Sequence, residues 1–371
     1  MKVFAIVPYH TDFCAGQRFR IELWAKHLKE RGIEVEYLPF ASPALTGVLY
    51  EQGQIGRKTA LLARCYLAQL RRVLAAARPD VVFIYREAAL VGPALIERLV
   101  KRWGVPVVYD LDEPLFVPYV SPSNGLLGRL KFFSKVNKLF ALSDEVLVVN
   151  HAIAGHARKF APRVSVVPMA VDTERYRPAP DVAQLEPPRI CWTGTLTNQP
   201  NLELIAEPLR RLRAERPSVF RVIADAPMTL PGVDVEFIRW SYDEEVRLVQ
   251  QCQVGVVPLL PSSWGPWKFF FKTIQFMSVG LPVVATPVGS NLEIIKDGVN
   301  GFLARDADEW HARLRQLLDD AELRQRMGAA ARATVEADFS LTRQIDFMTN
   351  VFQNAAALRA DKLGAQAVAR S

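Results

Sequence analysis

Short runs rich in Val and Ile alternate with amphipathic helical stretches from the first residue to about residue 345, and no other feature of the chain narrows its fold as much. Val3 to Pro8 precedes a helical pattern over Arg18 to Arg31. Val35 to Leu38 comes next, then a long helical stretch from Gly56 to Arg78, then Val81 to Ile84, Val107 to Tyr109, Glu145 to Val149 and Val164 to Val167. Runs this short and this uniformly apolar suit strands covered on both faces, as in a parallel sheet flanked by helices. Residues 1–178 are therefore predicted to form one doubly wound, Rossmann-like α/β domain. Four prolines between Arg177 and Pro188 discourage helix and strand alike and predict an exposed connector. The alternation resumes at Arg189 to Thr193 and runs through Phe220 to Ile223, Val235 to Ile238, Val254 to Val257 and Val283 to Thr286. Residues 188–340 are thus predicted to form a second domain of the same kind, followed by a terminal helix from about 341.

A length of 371 residues suits two cores of ordinary size better than one. The formal charge of +7 favours anionic partners, but no dense basic block with interleaved aromatics and no reader motif supports nucleic acid as one of them. No run approaches eighteen apolar residues, and Met1 to Pro8 is too short and too strand-like for a signal peptide, so a cytoplasmic protein is expected. Cys14, Cys65, Cys191 and Cys252 are scattered without paired spacing, which predicts reduced thiols and no zinc cluster. The five histidines show no metal-binding spacing either. Neither a Gly-x-Ser-x-Gly elbow nor a P-loop occurs.

The stretch from Lys268 to Ile295 carries the most chemistry. Lys268, Lys272 and Gln275 are spaced to share one helical face, Gly280-Leu-Pro stops the helix, and Val283 to Thr286 supplies a strand. Gly289, Ser290 and Asn291 then follow where backbone N–H groups at a helix start bind phosphate. This reads as an anion-binding corner. In the first half, Gly16 would let the backbone approach a phosphate, and Arg18 and Arg20 are candidate phosphate ligands. Lying two apart, the two arginines cannot face the same way on a regular helix, so one is expected to pair with Glu22 or Glu87. Asp110 and Asp112, at alternate positions beyond a buried strand, would point into a cleft from its C-terminal edge or serve as caps. Arg86 and Glu87 end another strand and are further cleft candidates. An Asp-x-Asp also suggests a divalent cation beside a diphosphate.

Taken together, the Lys-rich corner, Val299-Asn-Gly-Phe-Leu303 after it, Gln17-Arg-Phe-Arg20 and Tyr85-Arg-Glu87 closely resemble glycosyltransferase family 4, in particular a bacterial subgroup of it, over residues 1 to about 345. The resemblance implies a GT-B fold, with two Rossmann-like domains facing a cleft and a terminal helix, about 341–371, crossing back to the first. It implies a retaining, metal-independent transfer of a sugar from a nucleoside diphosphate to an acceptor hydroxyl, the first domain taking the acceptor and the second the donor, in glycan or glycolipid assembly. On that basis Lys268 and Lys272, with N–H groups near Gly16 and Ser290, stabilise the departing diphosphate, whose own oxygen takes the acceptor proton. Gln275 stands where the family has the second Glu of its Glu-x7-Glu motif and would hold the ribose, Arg239 and Trp240 stand in the base-binding loop, and Arg20, Arg86, Glu87 and Asp110 would meet the acceptor, whose hydroxyl Asp110 or Asp112 would orient. Three departures are visible: Trp267 replaces the first Glu, no His stands near Asp112, and the loop from Gly194 to Gln199 lacks the family's Arg and Lys. Trp264 and Trp267 would instead wall the sugar. The rival readings are a GT-B epimerase or phosphorylase, and a non-catalytic protein that binds a nucleotide sugar.

Residues 126–140 set Leu126, Leu130, Phe133 and Phe140 on one helical face, flanked by Arg129, Lys131, Lys135 and Lys138. That pattern suits an anionic bilayer, as expected for a peripheral enzyme with a lipid-linked acceptor, and equally a helix packed on the core.

Overall fold

The computed structural model describes residues 1–118, 131–179 and 185–368. The chain forms two compact units, Met1–Met169 with Gln344–Ser371, and Ala170–Arg343. In the first, β1 (Lys2–Val7), β2 (Glu34–Pro39), β3 (Val81–Tyr85), β4 (Val107–Leu111), β5 (Glu145–Val148) and β6 (Val164–Val166) form one sheet in the order β2-β1-β3-β4-β5-β6. In the second, β7 (Arg189–Gly194), β8 (Val219–Ala224), β9 (Val235–Arg239), β10 (Val254–Val257), β11 (Val283–Ala285) and β12 (Phe302–Leu303) lie in the order β12-β11-β10-β7-β8-β9. Every pairing is parallel. The cause is in the strands: β3 and β4 are buried along their whole length, so neither has a solvent face and helices must cover both sides. Each sheet reverses direction once, between β1 and β3 and between β7 and β10. Ligands of such sheets bind beyond the strand C-termini at that reversal.

The expected strands all form, and β12 arises within Val299 to Leu303, where only a motif had been read. The long helix spans Ile55–Ala75. The division between units falls at Met169, before the Pro-rich connector. Val171 is buried and bridges Ser340, and Tyr176 donates its hydroxyl to Glu245 at 2.7 Å, so residues 170–178 belong to the second core. Proline marks where a chain is exposed, and not which core holds the residues before it. The final helix, Leu341–Val368, starts in the second unit and continues in the first, where Phe352 packs edge-on to Phe83. None of the four cysteines is in a disulfide.

Of the amphipathic stretch, Leu126, Arg129 and Leu130 lie outside the described residues. The helix Lys135–Leu142 buries Val136, Leu139 and Phe140 in the core. Lys135 is no part of a basic flank, because it too is buried, held 3.0 Å from Glu97 and 3.5 Å from Glu87. Such partners offset the cost of taking an ammonium out of water. Lys131, Phe132 and Lys138 remain exposed. Among the described residues no helix is long and apolar enough to cross a membrane.

Candidate active site

In the first unit the segment after β1 enters a continuous helical run, Ala15–Gln17, a π-helical Arg18–Glu22, and Leu23–Glu30. Gln17 is fully buried and locks the entry. It accepts from the Tyr9 N–H at 3.2 Å and donates to Tyr9 O at 3.0 Å and to Glu22 at 2.7 Å. Arg18 points outward and donates to Asp12 O at 2.9 Å. Arg20 points inward and is fully buried, with Nε and Nη2 on Asp110 at 3.0 and 2.5 Å and Nη1 on the carbonyls of Val167 and Pro168. One arginine of the pair is therefore structural, as expected, but its partner is Asp110 and neither Glu22 nor Glu87. Both Arg20 and Asp110 leave the acceptor list. Burial raises Asp110 to about 6 despite the guanidinium against it, so it is still ionised at neutral pH.

Asp112 is likewise enclosed. It accepts from Arg86 Nε at 2.6 Å, Arg86 Nη2 at 2.8 Å and the Tyr85 hydroxyl at 2.8 Å. Burial pushes its carboxyl up, but the charge and hydrogen bonds of Arg86, with Tyr85, outweigh that and hold it below the usual carboxylate range. With both oxygens engaged, Asp112 positions Arg86 and is not placed to orient an acceptor. Arg86 has left-handed backbone, φ +58°, stabilised because its N–H donates to Asp110 O and its carbonyl accepts from the Tyr109 hydroxyl, both at 2.8 Å. Arg86 also meets Glu113 at 3.1 Å, and Glu87 lies against Lys135 rather than with the other acceptor candidates. Gly16 is required by this cluster, since a Cβ there would stand 2.5 Å from the Tyr85 hydroxyl and 2.6 Å from Asp112 Oδ2. Its bare Cα thus admits protein atoms, in addition to any approach of a phosphate.

The second unit builds the cationic corner. Lys268 is not on the helix with Lys272. It sits in extended backbone, ψ 137°, between a 3-10 turn at Gly265–Trp267 and the helix Phe271–Ser278. Both ammonium groups nonetheless reach the loop after β7. Lys268 Nζ lies 3.5 Å from Asn198 Oδ1, and Lys272 Nζ lies 4.4 Å from the Trp192 ring centroid and 2.7 Å from where a Gly194 Cβ would be. Among the described residues no carboxylate pairs with Lys272. Burial, and then the charge of Lys268, depress it to about 7. The ammonium of Lys272 thus lies beside a second cation and over an indole, with no carboxylate to neutralise it among the described residues. The loop that lacked its own cations is supplied with two from the other side of the sheet reversal.

Trp192 and Asn198 are neighbours of the two lysines that sequence reasoning missed. A signal existed: Trp192 and Gly194 are two apart on one strand and so share a face. Gly194→Ala is expected to weaken nucleoside diphosphate binding and cost about 1–3 kcal/mol of stability by overpacking. The new methyl would lie 2.4 Å from the Trp192 ring and displace both the indole and Lys272. Calorimetric titration and thermal melting of this one variant check both effects.

Other expected donor contacts are turned inward. Gln275 is buried and donates to Glu245 at 2.8 Å and to Tyr176 at 3.1 Å, so its amide supports the core in place of a ribose. The N–H of Ser290 donates to Lys268 O and its hydroxyl accepts from the Phe270 N–H, while Asn291 bonds Thr273 and Thr286. These bonds fasten the Lys268 link to the helix start. Gly289, at φ +55°, allows the carbonyls of Lys268 and Gly265 to pass where a Cβ would stand 2.5 and 2.7 Å away. Of the three N–H groups from Gly289 to Asn291, that of Gly289 alone has no acceptor among the described residues. Arg239 and Trp240 end β9, with Arg239 Nη1 3.2 Å from Asp225 O and the Trp240 indole exposed. Among the described residues no cluster of three His, Cys, Asp or Glu could hold a metal ion.

Two six-stranded parallel units with flanking helices are the architecture of the GT-B glycosyltransferases. Residues 16–175 match the family described as Glycosyltransferase Family 4, and residues 187–320 match Glycosyl transferases group 1. The chain belongs to the family 4 type of glycosyltransferase. The sulfoquinovosyl transferase SQD2 of Arabidopsis thaliana is 23% identical over 364 residues, 89% of this chain and 69% of that protein. Among solved structures, sucrose-phosphate synthase from Thermosynechococcus elongatus superposes with a TM-score of 0.70 at 13% identity, covering 96% of this chain and all of that one. HepE of Anabaena, solved with UDP and glucose, gives 0.64 at 16% identity over 95% of this chain and 100% of its own. Identities this low bear on the fold.

Proposed function

We propose that the protein transfers a sugar, with retention, from a nucleoside diphosphate sugar to a hydroxyl of a glycan or glycolipid acceptor. The observation that carries this reading is Lys272, a half-buried residue whose ammonium lies over Trp192 with Lys268 beside it and no carboxylate partner on Lys272 among the described residues. A diphosphate is the dianionic group that two converging ammoniums fit. Its departure from the anomeric carbon leaves charge that the pair neutralises, and binding energy spent on that developing charge lowers the barrier. The leaving oxygen takes the acceptor proton. In the first unit Asp110 and Asp112 are both committed to arginines, and neither is free to act as a base. The complex of HepE with UDP and glucose supports the donor class by analogy. The deciding experiment is a panel of nucleoside diphosphate sugars, each scored for diphosphate release with and without candidate acceptors. Release that never depends on an acceptor would favour hydrolysis, epimerisation or a binding role.

The reaction is proposed to need no metal, because Asp110, Asp112 and Glu113, the carboxylates a divalent cation would recruit, face guanidinium groups. Turnover is expected to survive exhaustive EDTA treatment. Loss on chelation with recovery on Mg²⁺ or Mn²⁺ would reassign those carboxylates.

Peripheral membrane contact is proposed for the exposed Lys131, Phe132 and Lys138. Lys131→Glu with Lys138→Glu should abolish low-salt co-sedimentation with anionic vesicles. Lys135, being buried, is left unchanged. Sedimentation that ignores charge reversal would confine this helix to packing.

A further inference from the structure

The segment between β1 and Gly16 carries an aromatic cluster that the cationic corner does not use. Phe13 is 37% exposed and Tyr50 57%, and their rings lie nearly parallel, 18° apart with centroids at 6.4 Å. Exposed aromatics usually swing, but these are held. Tyr9 packs on Phe13 at 5.2 Å and shares a hydroxyl hydrogen bond with Tyr50 at 3.1 Å. His10 packs on Phe13 at 5.1 Å and is tied to Thr46 at 3.2 Å. Behind Tyr50, the fully buried Lys58 donates to the carbonyl of Glu51 at 2.6 Å.

We propose that Phe13 and Tyr50 form a stacking shelf for a pyranose ring of the acceptor. The proposal rests on the glycosyl-transfer reading and names the acceptor class for it. Three observations point to a sugar. The shelf lies on the loop leaving β1, at the reversal of the first sheet, where ligands of such sheets bind. Its rings are rigid and partly exposed, the form in which aromatics offer contact area with little ordering entropy. The bordering residues Thr11, Asp12, Glu51 and Gln52 are polar and exposed, which suits ring hydroxyls better than a prenyl chain. A pyranose presents one face of C–H bonds to the rings and its hydroxyls to that rim.

The test is saturation-transfer NMR on the full chain with methyl α-D-glucopyranoside, methyl α-D-mannopyranoside and methyl β-D-galactopyranoside, and with farnesyl phosphate as the lipid probe. At least one glycoside is expected to bind through its ring C–H protons. Phe13→Ala with Tyr50→Ala should weaken that glycoside about fivefold or more, while Tyr50→Phe keeps it. UDP, ADP and GDP titrated into the same samples report on the second unit. Their binding should be equal in wild type and the double variant, and an unchanged thermal melt of the double variant shows that its first unit is folded. No glycoside binding, an unaffected double variant, or binding of farnesyl phosphate in place of the glycosides would each overturn the shelf. If all three diphosphates fail on wild type, the donor assignment falls and the shelf result is read independently.

Discussion

Asp110→Ala is expected to cost about 3–5 kcal/mol of folding stability, because it strands a fully buried guanidinium. Arg20→Met in the same chain should recover part of that loss, since the desolvated charge disappears with its partner. Recovery should stop about 1–3 kcal/mol short of wild type, as the carbonyls of Val167 and Pro168 lose their donor. Urea melts of the two single variants and the double variant close the cycle. A single-variant loss under 1 kcal/mol would mean that the pair is solvated and that Arg20 is available to a ligand after all. The location explains the size of the effect. Arg20 joins the helix after β1 to the carboxylate ending β4 and to the last residues before the chain leaves the first unit, where Gln344 also bonds Pro168 on the return.

Lys272→Met should weaken nucleoside diphosphate binding by one to two orders of magnitude, the value of a desolvated charge-assisted contact of about 1.5–3 kcal/mol. The same change should raise stability at pH 6. The folded Lys272 titrates near 7 and the unfolded one at its ordinary 10.5. The unfolded chain therefore holds more protons between those values, and wild-type stability rises with pH across that window. Below 7 both states are protonated and the cost of the buried charge is fully present, at most about 4–5 kcal/mol. Ligand binding inverts the balance, because a diphosphate restores the proton. Titration at pH 8 should take up about 0.9 proton per diphosphate and at pH 6 about 0.1, read by calorimetry in buffers of different ionisation enthalpy. The ligand's terminal phosphate is already ionised at pH 8 and takes little of it. Uptake that Lys272→Met leaves unchanged would place the proton elsewhere. Lys268→Ala is expected to weaken the same binding while leaving stability nearly unaltered.

The alternation of short apolar strands and helices was sufficient to determine two parallel sheets, because a strand without a polar face can be buried in few other ways. The Lys-rich corner was legible for a similar local reason: a helix start, a Gly-stopped end and a strand within thirty residues leave the lysines few places to go. The reach of Lys268 was not, since that residue precedes the helix and arrives beside Lys272 through a link pinned by Ser290. The roles of Arg20, Asp110, Asp112 and Gln275 were also undetermined by sequence. A charged or amide residue at a strand end faces either a ligand or a partner, and the choice depends on what the fold brings against it from 90 residues away for Arg20 with Asp110 and from 99 for Tyr176 with Gln275. Sequence spacing fixes which residues can share a face. Only tertiary packing decides which charges are neutralised from within, and therefore that Lys272, of the ionisable groups first singled out, stands desolvated without a carboxylate among the described residues.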